Sequence, residues 1–259
     1  HRIRRRQRQM CIRDRPSIDV WAMDVARFGD YASPQYGTIK SSENYERRFI
    51  MTFPNETLPK GRKQKTTALY DRFVNQGAVM GDSFGLENVL WFANNKEDAH
   101  EEPTIKRSRS HDYVSKEVIN VRENVGLIEV ANFSKHEFKG PDARKFLDHI
   151  MAGRLPKPGR ISLSPMLSYR GKLCGDLTVA CLDENEFMVF GSGAAQEMHR
   201  RWFESHIDKF NLSYSNRSDE YHGLSIAGPN SRKVLEKIVR DDVSNEKFKF
   251  RDSRRMFVG

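Results

Sequence analysis

Residues 126–182 decide the fold and read GLIEVANFSKHEFKGPDARKFLDHIMAGRLPKPGRISLSPMLSYRGKLCGDLTVACL. Their last ten residues predict a strand in which Asp176 is the single carboxylate before the terminal leucine. A lone acid inside an apolar strand costs free energy unless a partner or a ligand satisfies it. Alternation puts Asp176 and Thr178 on one face, and Leu177, Val179 and Cys181 on the other. The second face reads as core. The first suits the wall of a ligand pocket or, equally, an exposed hairpin end after residues 170–172.

An internal repeat surrounds this strand. Residues 140–151, GPDARKFLDHIM, match residues 228–239, GPNSRKVLEKIV, at Gly, Pro, Arg, Lys, Leu and Ile. Each copy follows a strand with apolar content, Gly-Pro forms the turn, and the next helix carries apolar residues at i, i+1, i+4 and i+5. Unrelated strand–turn–helix units can look alike, but this many identities in one context favour duplication and a pseudo-symmetric body.

Strands and helices alternate between and before the repeats. Three strands, ISLSPML, KLCGDLTVACL and EFMVFG, precede a helix in AAQEMHRRWFESHI. Further helices are predicted over residues 24–29 with Gly29 as the cap, over SSENYERRF, and over residues 69–75 and 111–124. MTFPNETLPKGRK reads as a linker and NNKEDAHEEPTIKRSRS as a loop. Because the spacing is not that of regular βαβ units, the pattern predicts an α+β fold with a mixed or antiparallel sheet.

The net charge of +9 is local to one end of the chain. The first 15 residues, HRIRRRQRQMCIRDR, hold seven arginines and one aspartate, a net of +6, which leaves +3 for the rest. Residues 1–15 therefore read as a non-native or disordered segment resembling translated sequencing-adapter sequence. A nucleic-acid arm or a targeting sequence is the alternative. No apolar run is long enough for a membrane span, and three cysteines without a CxxC pattern favour a reducing compartment.

Two further motifs each have a functional interpretation and a simpler structural one. FGSGAAQEM, from Phe190, has the glycines of a dinucleotide-binding turn, but Gln196 stands at the third glycine position and no βαβ unit leads into it. A plain strand-to-helix turn is favoured. His199 and His206 lie seven residues apart on the following helix and are predicted to be solvent-exposed rather than metal ligands.

Four motifs in this order carry a family resemblance: YDRFVNQGAVMG, VRENVGLIEVANFSKHEFKGPDARKFLD, PMLSYRGKLCGDLTV and GLSIAGPNSRKVL. Residues 66–259 resemble the folate-binding domain of aminomethyltransferases, truncated at its C-terminal end. Residues 16–65 resemble the C-terminal part of the central domain of flavin oxidoreductases of the dimethylglycine and sarcosine dehydrogenase type. The resemblance implies an aminomethyltransferase-like α+β domain that follows a small linker domain.

The same resemblance implies a function and a set of site residues. The parent protein would oxidise a small methylated amine with FAD held in an N-terminal domain outside this chain, and pass the one-carbon unit to tetrahydrofolate. Asp176 falls on the essential aspartate of the family, and Phe133, Leu163 and Thr178 fall on pterin contacts. Two positions depart from the family: Leu163 stands where many members have tyrosine, and Gly175 replaces the first acid of a common acidic pair.

Other functions stay open on the sequence alone. A non-catalytic subunit, like the regulatory subunit of pyruvate dehydrogenase phosphatase, shares this architecture, and a stand-alone aminomethyltransferase shares the folate domain. Neither a nucleic acid nor a membrane is expected as a partner. The implied location is the cytoplasm in a bacterium or the mitochondrial matrix in a eukaryote.

Overall fold

The computed structural model describes residues 24–54 and 56–259. Our interpretation of residues 1–15, and Cys11 with it, lies outside these ranges. The helices are α1 Pro34–Glu46, α2 Tyr70–Asn75, α3 Ser110–Glu123, α4 Ala143–Ile150, α5 Gln196–Glu204 and α6 Ser231–Ile238. The strands are β1 Ala78–Ser83, β2 Leu86–Phe92, β3 Gly126–Glu129, β4 Phe133–Lys139, β5 Arg160–Leu167, β6 Leu173–Asp183, β7 Glu186–Ser192, β8 Ser213–Asn216 and β9 Leu224–Ala227. Short 3-10 helices span Val25–Phe28, Gly193–Ala195 and Ile207–Lys209.

The strands form one large sheet and two small ones. The large sheet has the order β5-β6-β7-β4-β8, and each pair in it is antiparallel. The hairpin β1-β2 and the antiparallel pair β3-β9 stand apart from it. The α+β fold with an antiparallel sheet, predicted from the irregular spacing, is confirmed. Within the described ranges, no helix has the length and apolar content that crossing a bilayer requires.

The main core lies between one face of the large sheet and the helices α4 and α5. It includes the side chains that alternation placed on the apolar face of β6, because Leu177, Val179 and Cys181 are all fully buried. Phe146 and Leu147 of α4 and Phe203 of α5 pack against them. A second, smaller cluster joins β1 and β2 to α3 through Val79 and Trp91.

The two copies of the repeat have the same local conformation. Gly140 and Gly228 both have a positive φ, 137° and 115°, which favours glycine. The helix of each copy ends in an extended residue, Met151 or Val239, and each of these forms an isolated antiparallel bridge with a later residue. The predicted strand–turn–helix unit is therefore present twice, although the two helices differ in burial.

The segment before residue 66 packs against the rest of the chain, as expected for a stretch too polar to form its own core. Glu87 of β2 is 1% exposed and forms an ion pair with Arg62. Lys65 Nζ lies 3.1 Å from Asp219. These ion pairs hold the linker on the hairpin β1-β2 and on the loop after β8.

Helix α1 begins earlier than predicted. Its first residue is Pro34, whereas the prediction began at Ser41. The Ser33 hydroxyl accepts a hydrogen bond from the Tyr36 N–H at 3.2 Å, and proline suits the first helical turn because it lacks an N–H to satisfy. The predicted cap at Gly29 is present, with φ 71°, but the preceding helix is the 3-10 turn Val25–Phe28.

Candidate functional site

The register of the large sheet brings the four predicted site residues onto one face. Leu163 of β5 lies opposite Thr178 of β6, and Asp176 lies two residues before Thr178. Phe133 of β4 lies opposite Ser192 of β7, and Phe190, two residues before Ser192, lies opposite Thr178. Directly paired residues in antiparallel strands point to the same side, as do residues two apart in one strand. We call this surface, defined by Phe133, Leu163, Asp176 and Thr178, the Asp176 face.

The Asp176 face is open to solvent at the end that carries the carboxylate. Phe133 is 48% exposed and Leu163 is 62% exposed, while Thr178 is partly buried. Asp176 is exposed, and its carboxylate makes no hydrogen bond or ion pair with any residue that the structure describes. The carboxylate is thus exposed near the hairpin end after residues 170–172, as one of the two sequence interpretations predicts, and the buried residues of β6 lie between Leu177 and Cys181.

The composition of the face fits a flat heteroaromatic ring that carries an amine. Phe133 and Leu163 offer apolar surface against which a ring can stack. Covering exposed apolar side chains of this kind with a ligand lowers the free energy. Thr178 adds a hydroxyl that can donate or accept. The carboxylate of Asp176 is an acceptor with no partner among the residues that the structure describes, so it is available to a ligand N–H or to a proton.

A buried lysine supports the strand that carries Phe133. Lys135 is 3% exposed, and its Nζ donates to the carbonyl oxygens of Ala131 at 2.9 Å and Phe133 at 2.7 Å. Burial lowers the pKa of the Lys135 amine. The ammonium thereby fixes the turn before β4, and with it the backbone of Phe133. The sequence does not indicate this role, because an ordinary lysine in a strand with polar neighbours gives no signal of burial.

His199 is buried, which corrects its predicted exposure to solvent. It is 2% exposed and lies on the inner side of α5, one turn before Phe203. The spacing of four residues to a core phenylalanine was the signal that could have shown this. His206 follows the end of α5 and is partly buried, with its Nε2 at 2.8 Å from the Tyr169 hydroxyl. Within residues 24–54 and 56–259, no three His, Cys, Asp or Glu side chains are placed to hold a metal ion.

The glycine-rich turn after β7 serves close packing. A Cβ at Gly193 would lie 2.0 Å from the carbonyl oxygen of Asn132, so only glycine fits there. The chain passes from β7 through the 3-10 turn Gly193–Ala195 directly into α5. The prediction of a plain strand-to-helix turn is confirmed.

The absence of an acid at position 175 has a local reason. A Cβ at Gly175 would lie 3.0 Å from His199 Nε2 and 3.1 Å from Met166 Cε. Gly175 therefore faces the packed side of the sheet and approaches α5 closely. A carboxylate there would be forced against an imidazole and a buried thioether, which leaves Asp176 as the acid of this segment.

Two family models match the chain, each over a different part of it. Residues 69–259 match the family model of the GCVT N-terminal domain, and residues 13–67 match that of the FAD dependent oxidoreductase central domain. Mouse mitochondrial dimethylglycine dehydrogenase is 32% identical over 239 residues, which are 91% of this chain and 27% of the relative. Human mitochondrial sarcosine dehydrogenase is 26% identical over 286 residues, with coverages of 92% and 31%.

Aminomethyltransferases match the second part of the chain. The aminomethyltransferase of Staphylococcus epidermidis strain RP62A is 28% identical over 196 residues, 74% of this chain and 49% of the relative. The crystal structure of glycine cleavage system aminomethyltransferase T from Bartonella henselae superposes with a TM-score of 0.60 at 21% identity, covering 74% of this chain and 47% of that one. This similarity confirms the predicted fold.

Proposed function

The chain belongs to the family of the GCVT N-terminal domain, and on that premise we propose that it binds tetrahydrofolate and presents it to a one-carbon unit. The observation that carries the proposal is the register of the large sheet. Leu163 and Thr178 face each other directly, and Asp176 and Phe133 lie on the same side. Four residues from three strands thus form one surface of apolar, hydroxyl and carboxylate groups.

Asp176 would act on the amine of the folate that forms the bond to the one-carbon unit. Its carboxylate would orient and polarise that amine, or accept its proton as the new bond forms. Because the carboxylate has no partner among the described residues, binding of the amine would not require an existing ion pair to break. Phe133 and Leu163 would cover the faces of the pterin ring, and Thr178 would hydrogen-bond its edge.

The whole protein would oxidise a small N-methyl amine of the dimethylglycine or sarcosine type with FAD. The chain spans 27% of mouse dimethylglycine dehydrogenase and 31% of human sarcosine dehydrogenase, so this oxidation is proposed for a longer protein. We propose that residues 16–65 are the C-terminal part of the flavin-oxidoreductase central domain and residues 66–259 the folate domain. The match of residues 13–67 to the former favours this reading over a stand-alone aminomethyltransferase. In a eukaryote the location would be the mitochondrial matrix.

The experiment is an Asp176→Asn substitution in the longer protein that contains this chain. Amine oxidation should continue, because it occurs at the flavin. Transfer to tetrahydrofolate should fall by about 100-fold, which is typical for removal of a positioned acid or base. Free formaldehyde should then accumulate in place of methylene-tetrahydrofolate, and both products are measured in the same reaction.

Asp148→Asn is the matched control. Asp148 is also an exposed aspartate, but it lies on α4, which packs on the opposite side of the large sheet. This control should divide its product as the unsubstituted protein does. If Asp176→Asn does the same while folate still binds, Asp176 is not the catalytic acid or base and the site assignment fails.

A further inference from the structure

Strand β7 separates the strands that carry the four residues of the Asp176 face. The large sheet has the order β5-β6-β7-β4-β8, so Leu163 on β5 and Phe133 on β4 lie three strand spacings apart. Neighbouring strands are about 4.8 Å apart, so this separation across the sheet is about 14 Å. A ligand that contacts Leu163 and Phe133 at the same time must therefore lie over both β6 and β7.

The apolar residue that β7 presents to such a ligand is Phe190. The register places it directly opposite Thr178 of β6, and Thr178 is in turn opposite Leu163. Directly paired residues point to the same side of a sheet, so Leu163, Thr178 and Phe190 form one row on the Asp176 face. Ser192, two residues after Phe190, lies opposite Phe133. The Phe190 side chain thus stands between the two ends of the face.

The Asp176 face is open over only part of its length. Phe190 is partly buried, and Ser192 at the end of β7 is exposed. In the other direction the surface closes, because Met188 and its partner Ala180 on β6 are both buried. The open part of the face therefore ends at the row of Phe190. Asp176 lies within the open part, about 7 Å along the strand from that row.

The neighbour of Phe190 on β4 is fixed in place. Lys135 lies opposite Phe190, is buried, and donates from its Nζ to the carbonyl oxygens of Ala131 and Phe133. A side chain with a fixed neighbour has less freedom to lose when a ligand covers it, which lowers the entropic cost of binding. A partly exposed phenyl ring at this position offers apolar surface that a heteroaromatic ligand can cover.

On the basis of the proposed folate-binding function, we propose that Phe190 forms the floor of the site on β7, and that the pterin ring lies over it between Leu163 and Phe133. Thr178 is the corresponding floor residue on β6. Together the two side chains set how far the ring enters the face before it meets the closed part at Met188. Phe190 is thus a further binding residue for the ring, whereas Asp176 acts on the amine.

The test uses the longer protein that contains this chain, with the substitutions Phe190→Ala and Phe190→Tyr. Phe190→Ala should raise the KM for tetrahydrofolate by about 10-fold, a typical effect of removing one aromatic contact to a flat heterocycle. The kcat of one-carbon transfer should stay the same, because the contact exists before and during the reaction. Phe190→Tyr keeps the ring and should keep the KM. Amine oxidation at the flavin, measured without tetrahydrofolate, should be unchanged in both variants.

Phe210→Ala is the matched control. Phe210 is also partly buried, but its ring contacts Phe146 of α4, on the opposite side of the large sheet. This substitution should leave the KM for tetrahydrofolate unchanged. If Phe190→Ala does not fold, the pair Phe190→Leu and Phe210→Leu replaces the alanine pair in the same comparison.

The outcomes separate this proposal from the function on which it rests. An unchanged KM in the Phe190 variant, in a protein that binds tetrahydrofolate, would overturn the floor assignment and leave the proposed function intact. An equal rise of KM in the Phe190 and Phe210 variants would also reject the assignment, because the effect would then come from the fold. If the unsubstituted protein does not bind tetrahydrofolate, both the assignment and the proposed function fail.

Discussion

The two copies of the repeated motif share their turn and differ in what covers their helices. In the first copy, α4 buries four residues, Ala143, Phe146, Leu147 and Ile150. In the second copy, α6 buries none among the residues that the structure describes, and Ile238 is 41% exposed. The helix sequences nonetheless have their apolar positions in the same places.

The difference shows which properties the motif itself encodes. Gly-Pro and the residues after it set the turn, because both copies have a positive φ at glycine and a helix that starts three residues later. Burial depends on the neighbouring sheet. The first copy follows β4, which is an inner strand of the five-stranded sheet. The second copy follows β9, which belongs to the two-stranded sheet β3-β9. Four predictions can break or sharpen this comparison.

The largest effect is expected from truncating the equivalent leucines of the two helices. Leu147 is fully buried and Leu235 is only partly buried. Leu147→Ala should lower the free energy of unfolding by about 3 kcal/mol or more, because it leaves a cavity in a packed core. Leu235→Ala should cost about 1 kcal/mol. Urea unfolding of both variants measures this, and equal losses would show that the second copy is as well packed as the first.

The second effect is a loss of stability on mild acidification. It arises from His136 of β4, the strand that leads into the first copy. Burial lowers the folded-state pKa of His136 to about 3, below the unfolded value of about 6.5. The unfolded state therefore binds more protons below pH 6.5, so stability is present above that value and is lost as the pH falls towards 3. For His136 alone the loss between pH 7 and pH 5 is about 2 kcal/mol.

Urea unfolding of the chain at several pH values between 7 and 5 measures this slope. His199 should add to it, because burial lowers its pKa too. The same series on His136→Phe should show a shallower slope, whatever the stability of that variant at pH 7. An unchanged slope would mean that His136 is not the group that titrates.

The third prediction concerns the turns, where the two copies should behave alike. A Cβ at Gly140 would lie 2.7 Å from Leu212 Cα, and one at Gly228 would lie 2.5 Å from the carbonyl oxygen of Asn124. Gly140→Ala and Gly228→Ala should each destabilise the chain by more than about 1 kcal/mol, because alanine disfavours a positive φ and the backbone leaves no room. Thermal unfolding compares them. If Gly228→Ala left the thermal stability unchanged, only the first copy would require glycine at its turn.

The smallest effect is expected at the Asp176 face. Asp176→Asn should change the free energy of unfolding by less than about 0.5 kcal/mol, since the carboxylate is exposed and has no partner among the described residues. The substitution thus separates function from stability at this position. A loss of stability of more than about 1 kcal/mol in urea would instead assign Asp176 a structural role.

Sequence reasoning predicted the two faces of β6 correctly. Alternation along β6 placed Leu177, Val179 and Cys181 in the core, and all three are buried. The same alternation put Asp176 and Thr178 on the other face. That Leu163 and Phe133 would join them follows from the pairing of β5 with β6 and of β4 with β7, which local patterns do not determine.

The errors arose where tertiary contacts decide the environment. His199 was predicted to be exposed, but β4 and β6 cover it. Asp176 was left between a pocket wall and an exposed hairpin end, and it is exposed because it lies on the face of β6 opposite the one that α4 and α5 cover. Lys135 gave no sign that backbone carbonyls would hold its ammonium inside the protein. Lysine is rarely buried, so the residue type at position 135 was typical of the opposite environment.

The position of β4 in the large sheet has a consequence for the order in which the chain folds. The strands β5, β6 and β7 are neighbours in both sequence and space, so they can form a local meander early. β4 precedes them in the chain, yet its His136 pairs with Val189 on one side and Asn216 on the other. Distant pairing is slow because a long loop must close first. During synthesis, β4 and the apolar side of α4 must therefore wait, exposed, until β7 and β8 have left the ribosome.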